Sequence, residues 1–131
     1  MAAHWAGVRG LRAPFLGAGE SKTFQMLPGV LISRFRHQDA GYVSVKIARR
    51  ANVESIDVPA GKFGCIVYEI SIDGGRSGEF FIEEQYPHRI VRWSLAPDIL
   101  GELTGSARLE YWRLNENGHE SYLEQIGLKS R

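Results

Sequence analysis

The sequence predicts an all-β, or mainly β, domain: a curved antiparallel meander or half-barrel of about seven to nine strands with a short N-terminal helix. Three observations predict it. Apolar and polar residues alternate with period two from Ser21 onward. Turn-forming pairs punctuate the runs at intervals typical of antiparallel hairpins. No helical crossover lies between the runs, and parallel strands would need one.

Residues 1–131 read as one domain, with residues 1–20 helical or irregular. His4 to Arg12 would make about two helical turns, stopped before Pro14 because proline disfavours helix in the residue preceding it. The strand-like runs are KTFQML (22–27), VLISRFRHQ (30–38), YVSVKIARR (42–50), NVESIDV (52–58), CIVYEISID (65–73), EFFIEEQ (79–85), RIVRWSL (89–95) and ARLEYWRLNE (107–116), with a weak last run SYLEQI (121–126). Between them stand Pro28-Gly29, Asp39-Ala40-Gly41, Pro59-Ala60-Gly61, Gly74-Gly75, Tyr86-Pro87, Ala96-Pro97-Asp98 and Asn117-Gly118. Asp73-Gly74-Gly75, after an alternating run, is the strongest hairpin signal. Gly61 is expected to need a positive φ.

The alternation assigns faces. Ile66, Tyr68, Ile70 and Ile72 share one, with Glu69 and Ser71 opposite. Phe80 and Ile82 share a face, as do Val91, Trp93 and Leu95, and Val43, Val45 and Ile47. Strands with one apolar face cover a core on that side and meet solvent on the other. A sheet of this size must then curl or be capped, leaving its apolar side as a core or a concave cavity.

Composition is that of an ordinary globular chain: 44% hydrophobic and 24% charged residues among 131. A formal charge of +1 argues against a nucleic-acid binder, which needs clustered cations. The lone Cys65 excludes an internal disulfide, and its apolar run makes it a small buried hydrophobe rather than a thiolate. No apolar stretch approaches the roughly 20 residues of a transmembrane helix. Arg9 and Arg12 interrupt the N-terminal stretch, which therefore fails as a secretory signal. The chain as it stands is expected in the cytoplasm, or in the envelope if an export segment precedes it.

The elements VPAGKFGCIVYEI (58–70), GGR (74–76) and YPHRIVRW (86–93) resemble bacterial domains of uncharacterised function with the LolA/LolB-like lipoprotein-carrier fold. LRAPFLGAGESKTFQML (11–27) is similar to the entry of that family into its sheet. The resemblance spans most of residues 10 to 115. It implies an antiparallel half-barrel wrapped around a helix, and the carriage of an apolar or amphipathic molecule.

The residues offer little catalytic chemistry. His4, His37, His88 and His119 lie in separate segments with no metal-binding spacing, so no metal or other cofactor is expected. Glu79, Glu83 and Glu84 cluster, and Glu69 would lie across the hairpin from them; two such carboxylates suit acid/base hydrolysis, yet they alternate onto the polar side. GGRSG is too short for a phosphate loop. Arg34, Arg36, Lys46, Arg49 and Arg50 would form a basic strip, either a solvated face or a contact for anionic head groups.

The favoured reading is a non-catalytic module that binds an apolar or lipid-like ligand on a concave sheet face. Tyr68, Ile70, Phe80, Ile82, Val91, Trp93 and Trp112 would line the groove, with Arg89 and Arg92 holding an anionic head group. The alternative is an interaction module that pairs through its sheet, without a small ligand; an uncharacterised hydrolase ranks third. An unpaired edge beside Lys22–Leu27 or Leu123–Ile126 would join two copies into a homodimer.

Overall fold

The computed structural model describes residues 13–27 and 41–128. The expected helix His4–Arg12 and the run 30–38 lie outside the described residues, as do Arg34 and Arg36 of the basic strip. Among the described residues seven antiparallel strands form one sheet: β1 (Ser21–Met26), β2 (Val43–Arg49), β3 (Glu54–Val58), β4 (Gly61–Ile72), β5 (Ser77–Glu83), β6 (Ile90–Leu95) and β7 (Ile99–Glu102). Their order is β1-β2-β4-β5-β6-β7, so the sheet is open, with β1 and β7 at opposite ends. The mainly β, half-barrel-like expectation holds.

β4 organises the sheet. Its twelve residues are longer than any neighbour, and one edge carries two strands end to end. Residues 61–65 pair with β3, and residues 68–72 pair with β2. The chain steps off the ladder at Arg50–Val53, where the Arg50 N–H still reaches the Val67 carbonyl at 2.9 Å. The other edge pairs with β5 through the hairpin at Asp73–Arg76, as the sequence predicts. Gly74 takes φ 63° there, and Gly61 takes φ 129° in the β3–β4 turn; both values favour glycine.

Two apolar clusters occupy the two sides of the sheet. The front cluster is Leu16, Val45, Ile47, Tyr68, Ile70, Phe80 and Ile82, with Phe15, Phe24, Met26 and Ile66 packed against it. The back cluster is Ile56, Cys65, Val67, Phe81 and Val91, flanked by Val58 and Phe63. The one-sided pattern predicted for the strands therefore fails in β4 and β5. Cys65 and Val67 alternate with Ile66 and Tyr68, and both sets are buried or half-buried.

A bulge corrects the predicted face of β6. Phe81 pairs with Arg92 and Ile82 with Ile90, so Val91 is the extra residue and turns to the back cluster. Trp93 stays on the front, stacked on Phe80 with ring centres 6.2 Å apart. Val91 and Trp93, expected on one face, are on opposite ones.

The C-terminal strand predictions are overturned. Residues 107–116 are irregular chain and a 3₁₀ turn at Tyr111–Arg113, and the run 121–126 opens as the helix α1 (Ser121–Glu124). The residues of α1 favour helix, and Gly127 at φ 77° closes it. The Leu128 N–H reaches Leu123 O at 3.0 Å and the Gly127 N–H reaches Glu124 O at 3.1 Å, the paired bonds of a glycine cap. The edge expected at Leu123–Ile126 is thus no strand. β7, which the sequence reading omitted, is four residues long and pairs with β6. No helix among the described residues is long and apolar enough to cross a membrane.

Candidate functional site: a trough across five strands

Short side chains along one half of the back face leave an open trough of about 910 Å³. It crosses β2, β4, β5, β6 and β7, with the β6–β7 turn at its far end. The register lays its floor in two rows. Lys46 opposes Ser71, which opposes Ser77. One step along, Ala48 opposes Glu69, Glu69 opposes Glu79, Glu79 opposes Ser94, and Ser94 opposes Leu100. Ala96, Pro97, Asp98 and Ile99 complete the far wall. Ser71, Ser77, Ser94, Ala48 and Ala96 are too small to fill the space above the strands, which is why the face is hollow here and packed where Cys65, Val67 and Phe81 stand.

Arg50 separates the hollow half from the packed half. Its guanidinium reaches Glu69 at 2.8 Å, Glu54 at 2.9 Å, and Glu79. Like charges directly opposed across strands repel, and Arg50 is the bridge that lets Glu69 and Glu79 stand as partners. Its hydrogen bonds to the carboxylates, Glu54 foremost, raise its pKa. The sequence placed Glu69 across from this group correctly, but set Arg50 in a basic strip; it is instead the centre of an acidic cluster.

Other cations cover the packed half. Arg89 lies 5.1 Å over the Phe63 ring and makes two 2.8 Å hydrogen bonds to Glu83, which hold that carboxyl below its usual range. Arg92 lies 5.9 Å from the Phe81 ring centre and 3.7 Å from Glu102. Both arginines named as head-group holders are already paired with carboxylates and stand apart from the trough lining.

Of the nine side chains expected at a ligand site, five stand together on the front face and four lie elsewhere. Tyr68, Ile70, Phe80 and Ile82 are buried in the front cluster, and Val91 in the back one. Trp93 is 37% exposed on the front face. Trp112 is 60% exposed in the 3₁₀ turn, against Tyr111 rather than in a strand. Only Ile70 also borders the trough. The trough carries little sequence signal because that signal is a lack of bulk at Ala48, Ser71, Ser77, Ser94 and Ala96, of which the alternation singles out only Ser71. Their alignment in adjacent registers was the readable clue.

Five ionisable groups among the described residues have clearly shifted pKa values, each in the direction of its ordinary form at neutral pH. Burial pushes the Cys65 thiol up to about 11 and raises the Tyr68 phenol as well. Glu83 is held as a carboxylate, and Arg50 and Arg89 as cations. Among the described residues no group of three His, Cys, Asp or Glu side chains could hold a metal ion. Comparison of the chain with protein-family models, curated proteins and solved structures finds no match.

Proposed function

We propose that this chain is a non-catalytic binding module that takes an extended amphipathic ligand in the trough. The observation that carries the reading is the trough itself: about 910 Å³ of open space on the sheet, with a polar floor and the apolar Ile99 and Leu100 in its wall. Leu100 is 57% exposed there, so an apolar segment has a surface to cover. The resemblance of VPAGKFGCIVYEI and YPHRIVRW to carrier half-barrels points the same way. Against hydrolysis stands the locking of Glu69 and Glu79 onto one guanidinium, which suits structure better than proton transfer.

The test is native mass spectrometry of the purified full chain, with titration of alkyl amphiphiles. A saturable ligand lost in Ser94→Trp, which fills the floor, supports the reading. Absence of any bound species, with no amphiphile binding at high micromolar concentration, sinks it. A second reading is a homodimer through β1, which stands at one end of the described strand order. Sedimentation giving only monomer at high micromolar concentration would rule that out.

A further inference from the structure

Resting on that reading, we infer that the polar part of the ligand is an uncharged polyhydroxyl group, a glycosyl unit, and not the anionic head group that the arginines suggested. The trough lining presents three carboxylates, Glu69, Glu79 and Asp98, against one ammonium, Lys46. An anionic head would enter a site of its own sign, and like charges brought together at a binding site are penalised. The cations that would offset this are occupied. Arg50 is shared among three glutamates, and Arg76 stands 3.7 Å from Asp98.

Those same ion pairs weaken the case for a cationic ligand. Arg50 holds one oxygen, Oε1, of both Glu69 and Glu79. Neither Oε2 has a hydrogen-bond partner among the described residues. The pair thus presents two fixed acceptors whose charge Arg50, also shared with Glu54, offsets in part. Ser71, Ser77 and Ser94 add hydroxyls that donate and accept, also without partners among the described residues.

The spacing suits a sugar ring. Opposed side chains on neighbouring strands stand about 5 Å apart, and same-face neighbours along one strand roughly 7 Å apart. Ser71 and Ser77 are opposed, and so are Glu69 and Glu79 one step on. The four groups therefore mark the corners of a patch about as large as a pyranose, beside a floor thinned by Ala48. Ring hydroxyls can donate to the carboxylates and exchange hydrogen bonds with the serines. The adjoining alkyl or apolar segment then runs onto Leu100.

Titration calorimetry of the full chain with n-octyl glucoside, octanoate and octylammonium, each below its micelle concentration, tests the inference. The glucoside is expected to bind saturably, and about tenfold or more tightly than either charged amphiphile. Ser71→Val with Ser77→Val should weaken it about tenfold, while Tyr111→Ser, remote in the 3₁₀ turn, leaves it unchanged. Should the double variant fold poorly, Ser94→Ala at an unchanged melting temperature should still weaken the glucoside severalfold. A charged amphiphile binding as tightly as the glucoside overturns the glycosyl assignment and leaves the amphipathic reading standing. Silence of all three probes overturns both.

Discussion

Arg89 forks onto Glu83, with Nε donating to Oε2 and Nη2 to Oε1 at 2.8 Å each. The Glu83 backbone N–H also reaches the Arg89 carbonyl at 2.9 Å, so one residue pair closes the β5–β6 connection through both side chain and backbone. Glu83 is 12% exposed in its side chain. Arg89→Ala leaves that carboxylate half-desolvated without its partner, and should cost about 1–3 kcal/mol. Denaturant unfolding checks this. A change below about 0.5 kcal/mol would mean the fork is solvated and weak.

The same pair sets an acid response. Glu83 has a lower pKa folded than unfolded, chiefly through its hydrogen bonds from Arg89. Its stabilisation is therefore complete above the ordinary carboxyl value near 4.5 and is lost as pH falls through the depressed folded value. Melting temperatures recorded from pH 6 down to pH 3 should fall more steeply in the wild type than in Glu83→Gln. Parallel curves would show that other carboxylates govern the acid limb.

Arg50 joins Glu54, Glu69 and Glu79 from three strands. Arg50→Ala leaves three carboxylates facing one another, two of them directly opposed. All partners are more than a third exposed, so solvent screens the repulsion and a loss of about 1–2 kcal/mol is expected. Adding Glu79→Gln should restore part of it. Additive effects in the double variant would deny the coupling.

Cys65 is fully buried and its thiol is pushed up to about 11. A thiol-specific reagent at pH 8 should react in the native protein only through unfolding, and quickly once denaturant is present. Rapid native labelling would mean the back cluster opens locally.

Gly61 at φ 129° lies where a side chain is strained. Gly61→Val should lower stability by about 1–2 kcal/mol, whereas Lys62→Ala, exposed next door, should change it little. Equal effects in thermal melts would show that the turn does not depend on glycine at position 61.

Much of the fold was legible in the sequence and little of the site. Asp73-Gly74-Gly75, Pro59-Ala60-Gly61 and the strand-like runs of β2, β4 and β5 are local signals, and the structure follows them in where strands and turns fall. The errors came where tertiary partners decide. Val91 looks like Trp93 and Leu95 until the bulge opposite Phe81–Ile82 turns it over. ARLEYWRLNE alternates well but gains no partner strand, and SYLEQI is helical because Gly127 closes a turn that alternation does not register. The arginines near the aromatics suggested a head-group site because their carboxylate partners, Glu83 and Glu102, lie on other strands. The trough was invisible for a further reason: alternation reports where bulk is buried and is silent about where bulk is missing.

β4, flanked by β2 and β3 on one edge and by β5 on the other, is also covered on both faces by the two clusters. Its central amides have no partial opening that exposes them without separating the whole sheet. In hydrogen exchange, Val67 and Tyr68 should be the slowest protons and report the global unfolding free energy, while β7 and α1 exchange through local fraying. The molecule then divides into a slow keel and two labile margins. One of those margins, β7, is the wall of the trough, so ligand capture should slow exchange at Ile99–Glu102 while leaving the keel unchanged.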